Sequence, residues 1–248
     1  MNPGLLLHLS GIMQSWGGPQ GGTIRDTYPH PTRSAITGLL AAAQGRPRGS
    51  DLTDLDQLTH TTRIDRPGRR LVDFHTVGGG AHKTRTVRTA DGDPRGNALV
   101  FDKWYLADAA FTLALTGPPR LITTLAQALT RPVYPPHLGR RSCPPNIPVL
   151  IATSTNAERD LHDIPLHREP GREDTVTITY LHEHPPAGHP HQAPTHTPVD
   201  TPRGHRHYGP RNLWETRHTV PSDRCAGLGT TYLKALTTHR DRLLEHTP

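Results

Sequence analysis

Residues Tyr134 to Pro145 read Tyr-Pro-Pro-His-Leu-Gly-Arg-Arg-Ser-Cys-Pro-Pro, which sets two adjacent guanidinium groups beside a phenol and an imidazole. The prolines and the glycine exclude helix and central strand, so the run predicts a loop that is stiff before it binds anything. Arg140 and Arg141 offer planar donor forks that match phosphate oxygens, and Ser142 adds a hydroxyl. Tyr134 or His137 offers a ring face for an unstacked base. This is chemistry suited to single-stranded RNA. The alternative is an ordinary solvated basic turn.

Two further groups point the same way. Between Thr76 and Lys103 the chain carries Gly78-Gly79-Gly80 and the basic residues His82, Lys83, Arg85, Arg88 and Arg95. Triple glycine makes a poor core, whereas the alternation Lys83-Thr84-Arg85-Thr86-Val87-Arg88 suits one arm of a projecting hairpin, a basic finger that orders on RNA. A solvated loop is the alternative. Arg33 and Ser34 fall at the start of a helix, where free amides and the positive end of the dipole can receive a phosphate; simple capping is the competing role.

The elements that must hold these groups follow from hydrophobic spacing. Leu5 to Leu9 predicts a buried strand, and Thr32 caps a helix in which Ile36, Leu39, Leu40 and Ala43 share a face until Gly45 stops it. Strands are expected near Arg63-Ile64-Asp65 and from about Trp104 to Leu115. Leu121, Ile122, Leu125, Ala128 and Leu129 outline a second helix ended by Pro132, and Leu150-Ile151-Ala152 a return strand. Strand, helix, strand, strand, helix, strand is the split βαβ, ferredoxin-like order shared with RNA-recognition motifs, in an α+β chain. Trp16 and Trp104 are expected as packing anchors rather than base platforms.

Beyond Pro165 the composition shifts. Thr175 to Tyr180 alternates as a half-buried strand, and a terminal helix carries Leu233, Leu236, Leu243 and Leu244. Between them His182, His184, His189, His191, His196, His205 and His207 lie in a proline-rich tract, read as a solvated loop with no metal or other cofactor expected. The expected division is residues 1–155 with the insertion at 76–103, then a smaller, mainly β region at 156–248.

Composition fits a nucleic-acid partner. The net charge is +6, hydrophobic residues are 33%, and prolines number 26, so part of the chain is expected to be loop. Lysine occurs only at Lys83, Lys103 and Lys234, so the positive charge is nearly all arginine. Cys143 and Cys225 form no disulfide framework or zinc-site spacing. The run Leu5 to Leu9 fails as a signal peptide, and no apolar stretch reaches membrane-spanning length, so a cytoplasmic protein with no membrane partner is expected.

Several segments together resemble the CasD family, the subtype I-E branch of the fifth Cas protein family within the RAMP superfamily. They are Leu-His-Leu-Ser-Gly-Ile-Met-Gln-Ser-Trp-Gly at 7–17, Pro-Thr-Arg-Ser-Ala-Ile-Thr-Gly-Leu-Leu at 31–40, and Asp-Phe-His-Thr-Val at 73–77. The segment Trp-Tyr-Leu-Ala-Asp-Ala-Ala-Phe-Thr-Leu-Ala-Leu at 104–115 and the 134–145 loop complete them. Arg211-Asn212-Leu213-Trp214 is a last trace. The resemblance implies a non-catalytic subunit of the CRISPR surveillance complex Cascade, gripping the 5′ handle of CRISPR RNA (crRNA) and capping a backbone of CasC subunits. It implies contact with the large subunit CasA, and with target DNA only in the assembled complex. It makes the 76–103 insertion a β-hairpin thumb, with Arg85 and Arg88 against the RNA. Relatives in subtype I-C imply the alternative, a metal-independent repeat endoribonuclease, for which His75, Tyr105 and Lys83 would have to converge as base, acid and cation.

Overall fold

The structure is a computed structural model that describes residues 2–17, 22–78, 88, 92–93, 97–185, 188, 190–202 and 207–245. In chain order its elements are β1 (Gly4–Ser10), β2 (Met13–Gln14), β3 (Ile24–Arg25), α1 (Arg33–Ala43), β4 (Thr59–Arg66), β5 (Arg69–Val77), β6 (Leu99–Ala107), β7 (Ala110–Thr116) and α2 (Pro119–Thr130). There follow β8 (Leu150–Ser154), α3 (Ala157–Asp163), β9 (Thr175–His182), β10 (Val199–Pro202), β11 (Tyr208–Pro210), β12 (Trp214–Pro221) and α4 (Gly229–Glu245). The chain is α+β, and its main sheet is antiparallel in the order β12-β9-β4-β7-β1-β8.

Strands β1 and β7 are covered on both faces. Leu5, Leu7 and Leu9 join Phe111, Leu113 and Leu115 in a core with Ile36, Leu39 and Leu40 of α1 and Ile122, Leu125 and Leu129 of α2. Leu6 and Ala114 face the other way, toward Leu161, Tyr180, Tyr232 and Leu236. Double burial is why β1 reads as a continuous apolar run instead of alternating. Thr32 is the N-cap of α1, its hydroxyl accepting from the Ala35 amide, and Gly45 with φ 75° follows the helix.

Three expectations change. The strand expected from Trp104 to Leu115 is two strands, β6 and β7, because the chain reverses at Asp108, whose φ is 55°. Arg66 fixes that reversal, its Nε donating to the Asp108 carbonyl at 2.7 Å and its fork to the carboxylate at 2.7 Å. The region after residue 155 does not stand apart: β9 pairs with β4, and β12 with β9, so the C-terminal strands extend the N-terminal sheet. The hairpin also begins earlier than Thr76, with β5 and β6 paired from Arg69 opposite Ala107 to Val77 opposite Leu99.

Two buried ionic clusters tie the halves together. Arg63 and Asp65, both fully buried, pair at 2.6 Å, and Arg63 also donates to the carbonyls of Leu161, Ile164 and Pro165. At the start of α1, Asp200 accepts from the Arg33 amide at 3.0 Å, Glu183 bridges Arg33 at 2.7 Å and Arg211 at 2.9 Å, and Arg211 returns to Asp200 at 2.6 Å.

This second cluster sets an acid limit on stability. Burial alone would raise the Glu183 carboxyl, but neighbouring groups including the Arg33 and Arg211 guanidiniums outweigh it and hold it at about 2, against an ordinary 4.5. A carboxyl whose folded value is depressed stabilises the fold above its unfolded value, and that contribution, roughly 3 kcal/mol here, is lost as pH falls from about 4.5 toward 2. Urea unfolding at pH 7 and at pH 3 should therefore show a wide gap that narrows in Glu183→Gln. An unchanged gap in the variant would rule out this carboxyl as its source.

Candidate nucleic-acid interface

The second sheet, β2-β6-β3 with β5 on the free edge of β6, stands out from the core as a ribbon. Cross-strand partners share a face, so Leu71, Asp73 and His75 lie with Tyr105, Lys103 and Phe101. Arg25, paired in register with Lys103, joins this face, and its guanidinium lies 5.6 Å from the centre of the Phe101 ring. The opposite face carries Val72, Phe74, Val100 and Ile24, all exposed. The first side carries Arg25 and Lys103 among aromatic rings; the other is richer in exposed apolar side chains, with Asp102 and with Arg70, whose guanidinium lies 4.7 Å from the centre of the Trp104 ring.

The 134–145 turn is bolted to the cationic side. Leu138 and Cys143 are buried pegs, closed on each other by the Leu138 amide donating to the Cys143 carbonyl at 2.7 Å. Gly139 has φ 83°, and a Cβ there would come within 1.7 Å of the Ser15 carbonyl oxygen, so only glycine fits. The Ser15 amide donates to the Leu138 carbonyl at 3.1 Å, and the Ser15 hydroxyl to the Trp104 carbonyl at 3.1 Å. Gln14 and Trp16 hold this corner from below: Gln14 Nε2 donates to the carbonyls of Leu9 and Ala109, and the Trp16 ring is buried edge-on against Phe111.

Arg140 is part of the bolt. Its guanidinium donates to the carbonyls of Trp104 at 3.1 Å and Arg25 at 2.8 Å and lies 4.6 Å from the centre of the Tyr105 ring. Two of its five N–H donors are engaged by backbone oxygens, which fixes the side chain in place. Arg141 is exposed and has no side-chain partner among the described residues, so its fork is available. Ser142 is exposed beside it, His137 half-buried, and Tyr134 is 55% exposed on a segment whose amide donates to the Ala42 carbonyl at the end of α1.

The remaining expected site residues scatter. Arg33 is corrected: it is buried, its guanidinium spent on Glu183 and on the carbonyls of Leu55, Asp56 and Leu58, and Asp200 already occupies the helix start. Ser34 sits on the same closed turn, bonded to the Thr32 hydroxyl at 3.4 Å. His75 lies on the ribbon, its Nδ1 3.8 Å from the Asp73 carboxylate. Tyr105 is four residues along β6 from the partner of His75, about 13 Å away at the strand rise, so base and acid do not converge. Lys83 and Arg85 lie outside the described residues. Arg88 is exposed and donates to the Gly92 carbonyl at 2.8 Å.

Sequence reasoning missed Arg25 and Lys103. A single arginine in a two-residue strand carries no periodic signal, and Lys103 was counted only as the end of the insertion. Among the described residues no three His, Cys, Asp or Glu side chains stand at ligating distance of one another, and no helix is long and apolar enough to cross a membrane.

Residues 4–213 match the family described as CRISPR-associated protein (Cas_Cas5). The chain belongs to this Cas5 family. It is 34% identical over 168 residues, 60% of this chain and 70% of the relative, to the Escherichia coli K12 protein named CRISPR system Cascade subunit CasD. Among solved structures, a chain of a CRISPR RNA-guided surveillance complex matches with a TM-score of 0.83 and 38% identity, over 96% of this chain and 99% of that one. A crystal structure titled as a Cas protein matches with a TM-score of 0.62 and 27% identity, covering 92% and 99%. As a Cas5 protein the chain keeps its bolted turn and its ribbon inside the matched span, whereas α4 lies beyond it.

Proposed function

We propose that this Cas5 protein is a non-catalytic, RNA-binding subunit of a Cascade-type CRISPR surveillance complex in the cytoplasm. It would hold the 5′ handle of crRNA between the 137–143 turn and the cationic face of the β5–β6 ribbon. The observation that carries the reading is the division of labour within the arginine pair: Arg140 is committed to two carbonyls and a ring, which leaves Arg141 presented on a rigid support. A phosphate contact from a pre-positioned fork avoids the entropy of ordering a loose loop. Arg25 and Lys103 extend the cationic track, with His75, Tyr134, His137 and Ser142 in reach of sugars and bases.

The fold reading belongs here too. The strand order β8-β1-β7-β4 is that of a ferredoxin-like RAMP domain, with one departure. Arg33 at the start of α1 reaches Leu58 beside the start of β4, while Val133, just past α2, donates to Ala43 at the end of α1. The two helices therefore run in the same sense, and the β5–β6 ribbon is read as the base of a thumb whose Lys83, Arg85 and Arg88 extend the RNA grip. Exposed Phe74, Val72 and Ile24 on the apolar face suit protein subunits, CasC on the backbone or CasA, with target DNA met only in the assembled complex. The separation of His75 from Tyr105 along the ribbon supports the non-catalytic reading over the endoribonuclease alternative.

Footprinting of the handle in the reconstituted complex tests this. Arg141→Ala should weaken handle binding about tenfold and make the salt dependence shallower by about one charge. A scrambled handle of equal length separates recognition from charge attraction. Handle protection that is unchanged in Arg141→Ala combined with Arg25→Ala would remove this surface from the RNA path.

A further inference from the structure

The ladders β4–β7 and β5–β6 form one long antiparallel pair with a joint in it. Arg66 stands opposite Ala110 and Arg69 opposite Ala107, so the register carries straight across the two residues of each strand that lie between. In that gap Gly68 faces Asp108, with φ 75° and 55°, and Asp108 is the one non-glycine residue with positive φ among the described residues. A β-bulge at Asp65 comes immediately before Arg66, and bulges re-aim side chains as well as bending the strand. The ladder is therefore broken on both strands at one level, where the ribbon leaves the main sheet.

The joint is held from two sides. On the β2 side, Met13 and Gln14 pair with Ala107 and Leu106, the Asp108 amide donates to the Ile12 carbonyl at 3.1 Å, and Gln14 Nε2 donates to the Ala109 carbonyl at 2.8 Å. On the other side stands Arg66, whose Nε grips the Asp108 carbonyl and whose fork also donates to the His167 carbonyl at 3.3 Å. His167 is itself well anchored. Its amide donates to the buried Asp65 carboxylate at 3.4 Å, its Nδ1 lies 2.9 Å from His8 Nε2, and its ring stacks on Tyr232 with centres 3.9 Å apart. Arg66 thus ties the root of the ribbon to the buried centre of the molecule. Its ion pair with Asp108 is the minor part of that tie, because the Asp108 side chain is 71% exposed.

We propose that Arg66 is a positioning residue for the RNA surface: by gripping the carbonyls of Asp108 and His167 it sets the pitch of the β5–β6 ribbon against the main sheet. The role rests on the RNA-binding reading above, and Arg66 itself touches no RNA. With the grip in place the outer part of the ribbon, including His75 and Phe101, stands at a fixed distance from the 137–143 turn. Without it the strand β5, whose only ladder partner among the described residues is β6, pivots about the corner held by Gln14 and Ser15. Hinges of this kind absorb backbone rotation at a few residues where elements end, and the facing pair Gly68 and Asp108 supplies them here.

Spin labels at Thr76→Cys on the ribbon and Thr124→Cys on α2, both exposed, with Cys225→Ser removing the half-buried thiol, report the pitch of full-length protein as a distribution of distances without RNA. Arg66→Met keeps the aliphatic stem and removes every donor, and should roughly double the width of that distribution, with Arg66→Lys falling between it and the wild type. Asp108→Asn keeps the gripped carbonyl and tolerates positive φ, and should leave the width unchanged. In the reconstituted complex Arg66→Met should weaken handle binding about three- to tenfold, the size expected when a pre-set surface must instead be ordered on binding. An unchanged distribution in Arg66→Met would overturn the brace, and broadening in Asp108→Asn equal to that in Arg66→Met would overturn the carbonyl grip. Broadening with handle binding intact would overturn the positioning role. A wild type that fails to protect the handle would instead remove the RNA reading and the positioning role with it, while the distances, measured without RNA, still decide the brace.

Discussion

Asp65→Ala is expected to lower the unfolding free energy by about 3–5 kcal/mol, because it leaves the fully buried Arg63 guanidinium without its anion. Against the roughly 5–15 kcal/mol that holds a typical domain together, a loss of that size leaves much of the chain unfolded or aggregated. The surroundings offer no relief, since Arg63 is locked by three carbonyls and the Thr112 hydroxyl already donates to Asp65 at 2.8 Å. Burial would raise the Asp65 carboxyl, but Arg63 more than offsets it and holds the group below the usual carboxylate range. Its stabilising contribution is therefore complete at neutral pH and is lost only as acid drives the group through its depressed folded value. Guanidinium chloride unfolding at pH 7 is the measurement. Asp54→Ala is the comparison, because it breaks only the surface pair with Arg46 and should change stability by less than about 1 kcal/mol. Equal losses in the two variants would remove the buried pair from its role as keystone.

The second large effect is expected at Gly139. Gly139→Ala puts a Cβ within 1.7 Å of the Ser15 carbonyl oxygen and 2.7 Å of its carbon, both backbone atoms that cannot swing aside, at φ 83°. The turn must lift off the Gln14-Ser15-Trp16 corner, breaking the Ser15-to-Leu138 bond and drawing Arg140 from the carbonyls of Trp104 and Arg25. We expect a stability loss of about 2–4 kcal/mol from strain and crowding together. The loss of handle protection should exceed that of Arg141→Ala, because the whole support moves rather than one donor. Hydrogen exchange across residues 134–145 would report the release. Slow exchange retained there, with native handle protection, would show that the turn tolerates the methyl group.

Much of the frame was legible because local rules decide it. The Thr32 cap, the Leu39 and Leu40 stripe, the Pro119 and Pro132 limits of α2, and the stiffness of the proline-rich turn all follow from spacing and backbone chemistry. The break at Asp108 was not legible, since a single non-glycine residue with positive φ leaves no mark in hydrophobic spacing. Arg33 and Arg140 read as ligands in the sequence because an arginine bonded within the fold and a free one look alike until the residues that meet them are known. For Arg33 those residues are Glu183, Asp200 and Arg211. For Arg140 they are two carbonyls that no side-chain pattern announces.

The plug at the start of α1 has a consequence for synthesis. The first helix is complete in sequence once Ala43 has been translated, yet the carboxylate that terminates it, Asp200, and the arginine that steadies that carboxylate, Arg211, leave the ribosome far later. At about 5–20 residues per second, the nascent N-terminal half waits on the order of ten seconds or more with the Arg33 guanidinium and the Arg33 amide lacking the carboxylates that will meet them. Completion of this buried cluster is thus close to post-translational, since it waits until residue 211 has cleared the exit tunnel.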